Sequence, residues 1–204
     1  VELSCRPGCA RFGASPAQIE EAAWAAGEAD VVLAVLGGTS SRFGGGVFKD
    51  NGALADQEEA AMDCGENVDA ARLRLPGEQL ELLRRLKDSG KPVAVILVGG
   101  RPYEMAEVEA LSDAILCAFY PGPTGGEALA KLLFGELSPA GRLPVSLPDH
   151  AGQLPVCYNY KDSYQGMRYW DAGRPRYPFG SGLTYSRFDW KLISPPGDTP
   201  DGEG

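Results

Sequence analysis

The sequence has a single histidine, His150, and lacks the short glycine patterns of several common catalytic and nucleotide-binding loops. An α/β-hydrolase places its serine in a Gly-x-Ser-x-Gly turn and uses a His base, and that turn is absent. Gly-x-Gly-x-x-Gly at a helix start and Gly-Lys-Ser/Thr are absent as well, which argues against a dinucleotide or nucleotide site. We therefore expect His150 to be an exposed side chain of a proline-rich C-terminal region.

Charge and hydropathy exclude two further classes of partner. The formal net charge of −9 argues against nucleic acid and anionic membranes, which require clustered Lys and Arg. No run of about 18 apolar residues occurs, so no transmembrane helix is expected. With 44% hydrophobic residues, a chain of 204 residues can bury one sizeable core.

The cysteines and the acidic residues favour neither a disulfide framework nor a metal site. The five cysteines are odd in number and lack Cys-x-x-Cys spacing, so we expect free thiols, which favour a reducing, cytoplasmic compartment. The acidic residues between positions 56 and 69 lack the Asp-x-Asp-x-Asp-Gly spacing of a calcium loop, and a solvated acidic loop explains most of them. We expect no cofactor.

Helical and strand-like segments alternate along residues 16–134. Helical periodicity predicts helices, while apolar runs closed by glycine or polar residues are typical of strands buried on both faces of a parallel sheet. The predicted helices are 16–28, 78–87, 103–111 and 125–134, and the predicted strands are 31–36, 93–98 and 114–120. This alternation predicts an α/β fold with right-handed crossovers.

Two regions fall outside this alternation. A glycine-rich connection runs from residue 37 to about residue 70, and a connection of that length in a compact domain is usually a functional loop. Its Arg42 and Phe43 are candidate ligand-binding side chains. After residue 135 the chain becomes rich in proline and turn residues, and we expect it to wrap the sheet as short strands and loops.

Residues 62–77 contain the most suggestive carboxylate, Glu66. It stands in a glycine-containing loop after a predicted strand and ahead of an amphipathic helix. A carboxyl group in such a loop can act as a proton donor if its neighbours leave it poorly solvated. A solvated surface glutamate is the alternative.

Taken in order, five sequence segments resemble the C-terminal α/β sandwich domain of glycoside hydrolase family 3, the β-glucosidase and β-xylosidase group. They are Val31–Gly38, Cys64–Gln79, Lys91–Pro102, Tyr120–Pro144 and Tyr177–Tyr185. The resemblance implies a flavodoxin-like three-layer sandwich with a mostly parallel sheet over residues 1–188, lacking its first segment, and a linker over residues 189–204 toward a possible following domain. We accordingly expect the sequence to be part of a longer chain.

The resemblance also implies a retaining glycosidase that cleaves β-linked glucosides or xylosides. In that family the nucleophilic aspartate lies in a preceding (β/α)8 barrel and the acid/base glutamate commonly comes from the sandwich. The matching residue here is Glu66, with Glu58 and Glu59 as rivals. A non-catalytic module that binds carbohydrate or protein is the alternative.

One departure from the family pattern concerns the loop itself. The family often has Glu-Gly-x-Asp-Arg at this place, whereas this chain has Ala70 at the arginine position and its next arginine at Arg72. If that arginine orients the loop in the family, its absence affects the expected local geometry of this loop and not the expected fold.

Overall fold

The computed structural model describes residues 1–13, 15–40, 50–51, 62–65, 68–159, 170 and 173–192. Within these ranges, helices and strands alternate as the sequence predicts. The elements are α1 (Pro16–Gly27), β1 (Val32–Gly37), α2 (Gln79–Lys87), β2 (Val93–Val98), α3 (Ala106–Ala110), β3 (Ala114–Phe119) and α4 (Gly125–Leu133). The three strands form one parallel sheet in the order β1-β2-β3, which confirms the α/β class.

The core lies where α1, α2 and α3 meet one face of the sheet. Leu83 of α2 and Val108 of α3 are completely buried, and Val93 and Val95 of β2 are almost so. Burying a leucine or valine side chain of this kind contributes roughly 1.5–3 kcal/mol. These residues therefore fix the sheet on which the loops at its carboxyl edge are built.

The prediction that every strand is buried on both faces is wrong for β1. Its Ala34 and Leu36 face the core, but Leu33 and Val35 on the opposite face are 46% and 65% exposed. β1 lies at one edge of the described sheet, whereas the central β2 has no exposed residue. An unbroken apolar run thus predicts a strand correctly without deciding how much of it is covered.

The predicted helix 103–111 is also too long, because α3 begins only at Ala106. Tyr103 and Met105 precede it in irregular backbone, and their side chains are only 3% and 1% exposed. The hydroxyl of Tyr103 donates a hydrogen bond to Asp63 at the carboxyl edge of the sheet. The end of α2 follows its prediction, since Gly90 adopts a φ of +71° shortly after the last helical residue.

The chain after residue 135 packs back on the core through Leu147 and Tyr177, but its described residues form turns and a short 3-10 helix (Ala151–Gln153) and not the predicted short strands. Leu147 and Tyr177 form an antiparallel bridge, and Arg176 pairs with both Glu109 of α3 and Asp149. The hydrogen bond from Arg176, followed by that from Tyr177, lowers the pKa of the Glu109 carboxyl. His150 is exposed, as predicted.

No helix in the described part of the chain is long and apolar enough to span a membrane. All five cysteines are free thiols. Burial raises the pKa of the Cys117 thiol, and also that of the Cys9 thiol, so both are held in the neutral form.

Candidate functional site

The carboxyl ends of the three strands meet at one edge of the sheet, and the segments that follow β1 and β2 make hydrogen bonds to Asp63, Asp69 and Leu73. Open parallel sheets bind their ligands at this edge. A crevice of about 330 Å³ opens there beside β1. It is lined by Gly37, Gly38, Thr39, Gln79 and Tyr120 together with the N-terminal residues 7, 9, 10 and 11.

Asp63 fastens the segment 62–65 to the ends of β1 and β2. Its Oδ1 accepts a hydrogen bond from the backbone N–H of Thr39 at 2.8 Å, and its Oδ2 accepts one from the hydroxyl of Tyr103 at 2.8 Å. The backbone N–H of Asp63 donates to the carbonyl of Thr39 at 3.1 Å. One residue therefore joins the loop to two different strand ends.

Gly37 and Gly38 allow this close approach. A Cβ atom at Gly38 would overlap the Asp63 carboxylate, and one at Gly37, whose φ is +137°, would overlap the carbonyl of Val98. The side-chain amide of the buried Gln79 holds both the N–H and the C=O of Gly37, each at 2.7 Å. In the sequence, Gly37 and Gly38 indicate only the end of a strand, because Asp63, which contacts Gly38, lies 25 residues further along the chain.

Arg101, which follows β2, reaches the same loop on both sides of position 66. Its NH1 donates to the carbonyl of Asp63 at 2.5 Å, and its NH2 donates to Oδ1 of Asp69 at 2.6 Å. The side chain of Arg101 is only 13% exposed, whereas that of Asp69 is 88% exposed. The hydrogen bond from the N–H of Ala70, and then that from Arg101, lower the pKa of the Asp69 carboxyl.

The cation paired with Asp69 therefore comes from the segment after β2 and not from the adjacent position. Ala70 offers no charge, and Arg72 is exposed and makes no ion pair with any residue that the structure describes. The sequence distance of 32 residues between Arg101 and Asp69 explains why local pattern reading misses this contact.

Gly65 and Val68 flank the predicted catalytic position and are held against each other. They form an antiparallel bridge, and the N–H of Val68 donates to the carbonyl of Gly65 at 3.1 Å. Glu66 itself lies outside the described residues, as do four other predicted residues: Arg42, Phe43, Glu58 and Glu59. Their roles stay predictions, and the structure places only the residues on either side of Glu66.

The end of β3 contributes a strained residue and a tyrosine to this edge. Phe119 has a φ of +49°, at the point where the register between β2 and β3 shifts. A bulky residue in this region is an outlier that the surrounding structure must support. The next residue, Tyr120, accepts a hydrogen bond from the N–H of Ser40 through its hydroxyl at 2.9 Å. The third strand end is thereby joined to the segment after β1.

The sequence profile of the glycosyl hydrolase family 3 C-terminal domain matches residues 8–185. The chain belongs to this family. The resemblance of its segments to that domain is confirmed, and the described sheet and helices are consistent with its α/β sandwich. The match therefore assigns residues 8–185 to the C-terminal domain of that family.

Named relatives agree with this assignment. A periplasmic beta-glucosidase of Salmonella typhimurium is 35% identical over 88% of this chain and 22% of its own length. A beta-xylosidase of Formosa agariphila is 31% identical over 93% of the chain and 24% of its own length. A beta-glucosidase structure from Listeria innocua, in complex with gluconolactone, superposes with a TM-score of 0.70 at 32% identity, over 92% of this chain and 25% of that one.

The chain thus spans about a quarter or less of the proteins it resembles. One of these relatives is named as periplasmic, so the free cysteines do not assign this chain to the cytoplasm. Both glucosidases and xylosidases occur among the relatives, as the order of the sequence segments predicts.

Removing the Tyr103 hydroxyl tests the anchoring of the loop by Asp63. Tyr103→Phe leaves Oδ2 of Asp63 without its donor, and we expect the free energy of unfolding to fall by about 1.5 kcal/mol in urea titrations at neutral pH. Tyr158→Phe is the control, because Tyr158 is 72% exposed and its ring, which contacts Phe179, is retained. Equal stability of the two variants would contradict the anchoring role.

The loss of unfolding free energy in Tyr103→Phe should depend on pH, in a direction set by the pKa of Tyr103. Burial, followed by the hydrogen bond to Asp63, raises the pKa of Tyr103, so the folded state holds this proton more tightly than the unfolded state does. The stability difference between the parent and Tyr103→Phe should be constant below the unfolded-state pKa of about 10 and should shrink as the pH rises above it. Unfolding titrations between neutral and alkaline pH measure this difference.

Proposed function

We infer that this chain supplies the general acid/base carboxylate, Glu66, of a retaining β-glycosidase. The nucleophile would stand in a (β/α)8 barrel of the same protein, and the substrates would be β-linked glucosides or xylosides. The observation that supports this role most strongly is the fixing of Asp63, Gly65, Val68 and Asp69 to one another and to the carboxyl edge of the sheet. A proton donor must be held within hydrogen-bond reach of the leaving oxygen, and anchored flanks serve that requirement.

The reaction needs two carboxyl groups about 5–5.5 Å apart. In the first step the nucleophile attacks the anomeric carbon while protonated Glu66 donates its proton to the departing oxygen. In the second step the Glu66 carboxylate removes a proton from water, and the oxygen of that water attacks the anomeric carbon and displaces the nucleophile. Glu66 is thereby reprotonated, and the β configuration is restored after two inversions.

Glu66 must be protonated at the start of this cycle. Enclosure of the loop between a barrel and the sandwich would remove water from the carboxyl group and raise its pKa toward neutrality. The Asp63 and Asp69 carboxylates of the same loop already have donors in Thr39, Tyr103 and Arg101. Because those two carboxylates anchor the loop, the proposal assigns proton transfer to Glu66.

The named activities of the relatives support the substrate class and not a single sugar. Both a beta-glucosidase and a beta-xylosidase align over most of this chain at similar identity. In the proposed arrangement the barrel builds most of the sugar pocket, so glucose and xylose are distinguished largely outside this chain.

A direct test is the activity of the 204-residue chain alone. Because the nucleophile is supplied from elsewhere, the purified chain should release no nitrophenol from aryl β-glucosides or β-xylosides above background. Turnover by the pure chain that persists in Glu66→Gln would contradict the divided active site. Tight binding of glucose, xylose or cellobiose by the chain alone, measured by calorimetry, would favour a carbohydrate-binding module instead.

A further inference from the structure

We propose that Arg101 is the positioning residue of the acid/base loop: it spans the loop and holds the segments before and after Glu66 in one fixed relation. This inference rests on the role of Glu66 proposed above. It assigns to an arginine after β2 the orienting function that the adjacent position, occupied by Ala70, cannot perform.

The two contacts of Arg101 bracket the proposed acid/base. NH1 binds the backbone carbonyl of Asp63, three positions before Glu66, and NH2 binds the carboxylate of Asp69, three positions after it. A planar guanidinium can donate to two acceptors at a fixed separation, whereas a lysine ammonium acts as a single point charge. Arg101 therefore sets the distance between the two ends of the segment that carries Glu66.

The burial of Arg101 indicates a role beyond that of a surface ion pair. Its side chain is 13% exposed, and its Nε is buried without a hydrogen-bond partner among the described residues. An unsatisfied buried donor costs free energy, so this burial does not serve stability alone. The guanidinium is oriented so that its two terminal nitrogens reach the loop.

Arg101 itself stands on a rigid base. It follows β2, the central strand, and the backbone N–H of Gly99, directly after β2, donates to the carbonyl of Phe119 at the end of β3. Two residues after Arg101, the hydroxyl of Tyr103 binds the Asp63 carboxylate. The segment 99–103 thus connects the centre of the sheet to the loop through both Arg101 and Tyr103.

Leaving-group dependence distinguishes positioning from general stability. In the protein that contains both the barrel and this chain, Arg101→Met should lower kcat/KM for phenyl β-glycosides by about 10²-fold, the loss typical of a small misplacement of a catalytic group. Dinitrophenyl β-glycosides, whose leaving group departs without a proton, should be nearly unaffected in kcat/KM. Arg101→Lys should fall between the parent and Arg101→Met, because a lysine reaches only one of the two acceptors.

Two variants control for folding and for the loss of an arginine pair. Arg85→Met removes an arginine of α2 that makes two hydrogen bonds to Glu20 of α1. It should leave kcat/KM unchanged for both substrates. Asp69→Ala removes the partner of NH2 at a position that is 88% exposed, so it keeps the inference testable if Arg101→Met does not fold. Asp69→Ala should lower kcat/KM for phenyl β-glycosides but not for dinitrophenyl β-glycosides, and by a smaller factor than Arg101→Met does.

Glu66→Gln, measured in the same substrate series, separates the two proposals. If Glu66→Gln is selective for poor leaving groups but Arg101→Met and Asp69→Ala impair all substrates equally, the positioning role of Arg101 is overturned and the acid/base role stands. If Glu66→Gln itself shows no selectivity, both proposals fail. Selective loss in all three variants supports both.

Discussion

Replacing Glu66 by Gln should abolish proton donation to the leaving group while leaving the sugar site intact. In a protein that joins the proposed barrel to this chain, kcat/KM for phenyl or alkyl β-glycosides should fall by about 10²–10⁴-fold. For dinitrophenyl β-glycosides kcat/KM should stay near the parent value, since their departure needs no proton. A steepened dependence of log kcat/KM on the pKa of the leaving group is the diagnostic result.

The rival carboxylates and a remote glutamate provide the controls for this prediction. If Glu66 is the acid/base, Glu58→Gln and Glu59→Gln should show the same dependence of log kcat/KM on the pKa of the leaving group as the parent. Glu20→Gln, which alters an exposed pair between α1 and α2 with Arg85, should leave kcat/KM unchanged for every substrate. Transfer of the selective loss to Glu58→Gln or Glu59→Gln would move the acid/base assignment away from Glu66.

Replacing Gly38 by Ala should cause the largest stability loss among the loop variants. The new Cβ would overlap the Asp63 carboxylate, which holds the loop to Thr39 and Tyr103, so the collision also strains both hydrogen bonds. Overpacking of this kind costs typically 1–3 kcal/mol, and we expect a loss of about 3 kcal/mol in the free energy of unfolding. The measurement is urea unfolding, with the midpoint and the m value compared.

Gly126→Ala is the matched control for Gly38→Ala. Gly126 lies in α4, and a Cβ there meets no atom within 4 Å. Alanine is favoured over glycine inside a helix by roughly 0.5–1 kcal/mol, so this variant should be neutral or slightly stabilised. Similar stability changes in the two glycine variants would show that the carboxylate of Asp63 is not confined by Gly38.

The sequence allows the order of helices and strands to be predicted because each element carries its own hydrophobic period. β2 and α2 illustrate this, since their apolar runs end at glycine and their boundaries agree with the structure to within a residue or two. The exposed face of β1 and the late start of α3 could not be predicted this way. Both depend on what packs against the element, and not on the element's own residues.

The candidate site likewise has features that the local sequence predicts and contacts that it does not. The segment around Glu66 stands out locally, through its glycine and its position before an amphipathic helix. The contacts that anchor it join Asp63 to Thr39 and Tyr103, and Arg101 to Asp69, across 24 to 40 positions of sequence. Such pairs become visible only when the parallel strands bring their carboxyl ends together. Ala70 illustrates the consequence, because the arginine that pairs with the neighbouring Asp69 comes from the segment after β2.

The most direct test of the central claim is the product formed by Glu66→Gln in the presence of azide. With a dinitrophenyl β-glycoside, the variant should form the glycosyl-enzyme but hydrolyse it slowly, because no carboxylate remains to activate water. Azide needs no base, so it should raise kcat and yield the β-glycosyl azide, identified by nuclear magnetic resonance. Unchanged turnover with free sugar as the only product, or an azide of α configuration, would contradict the account.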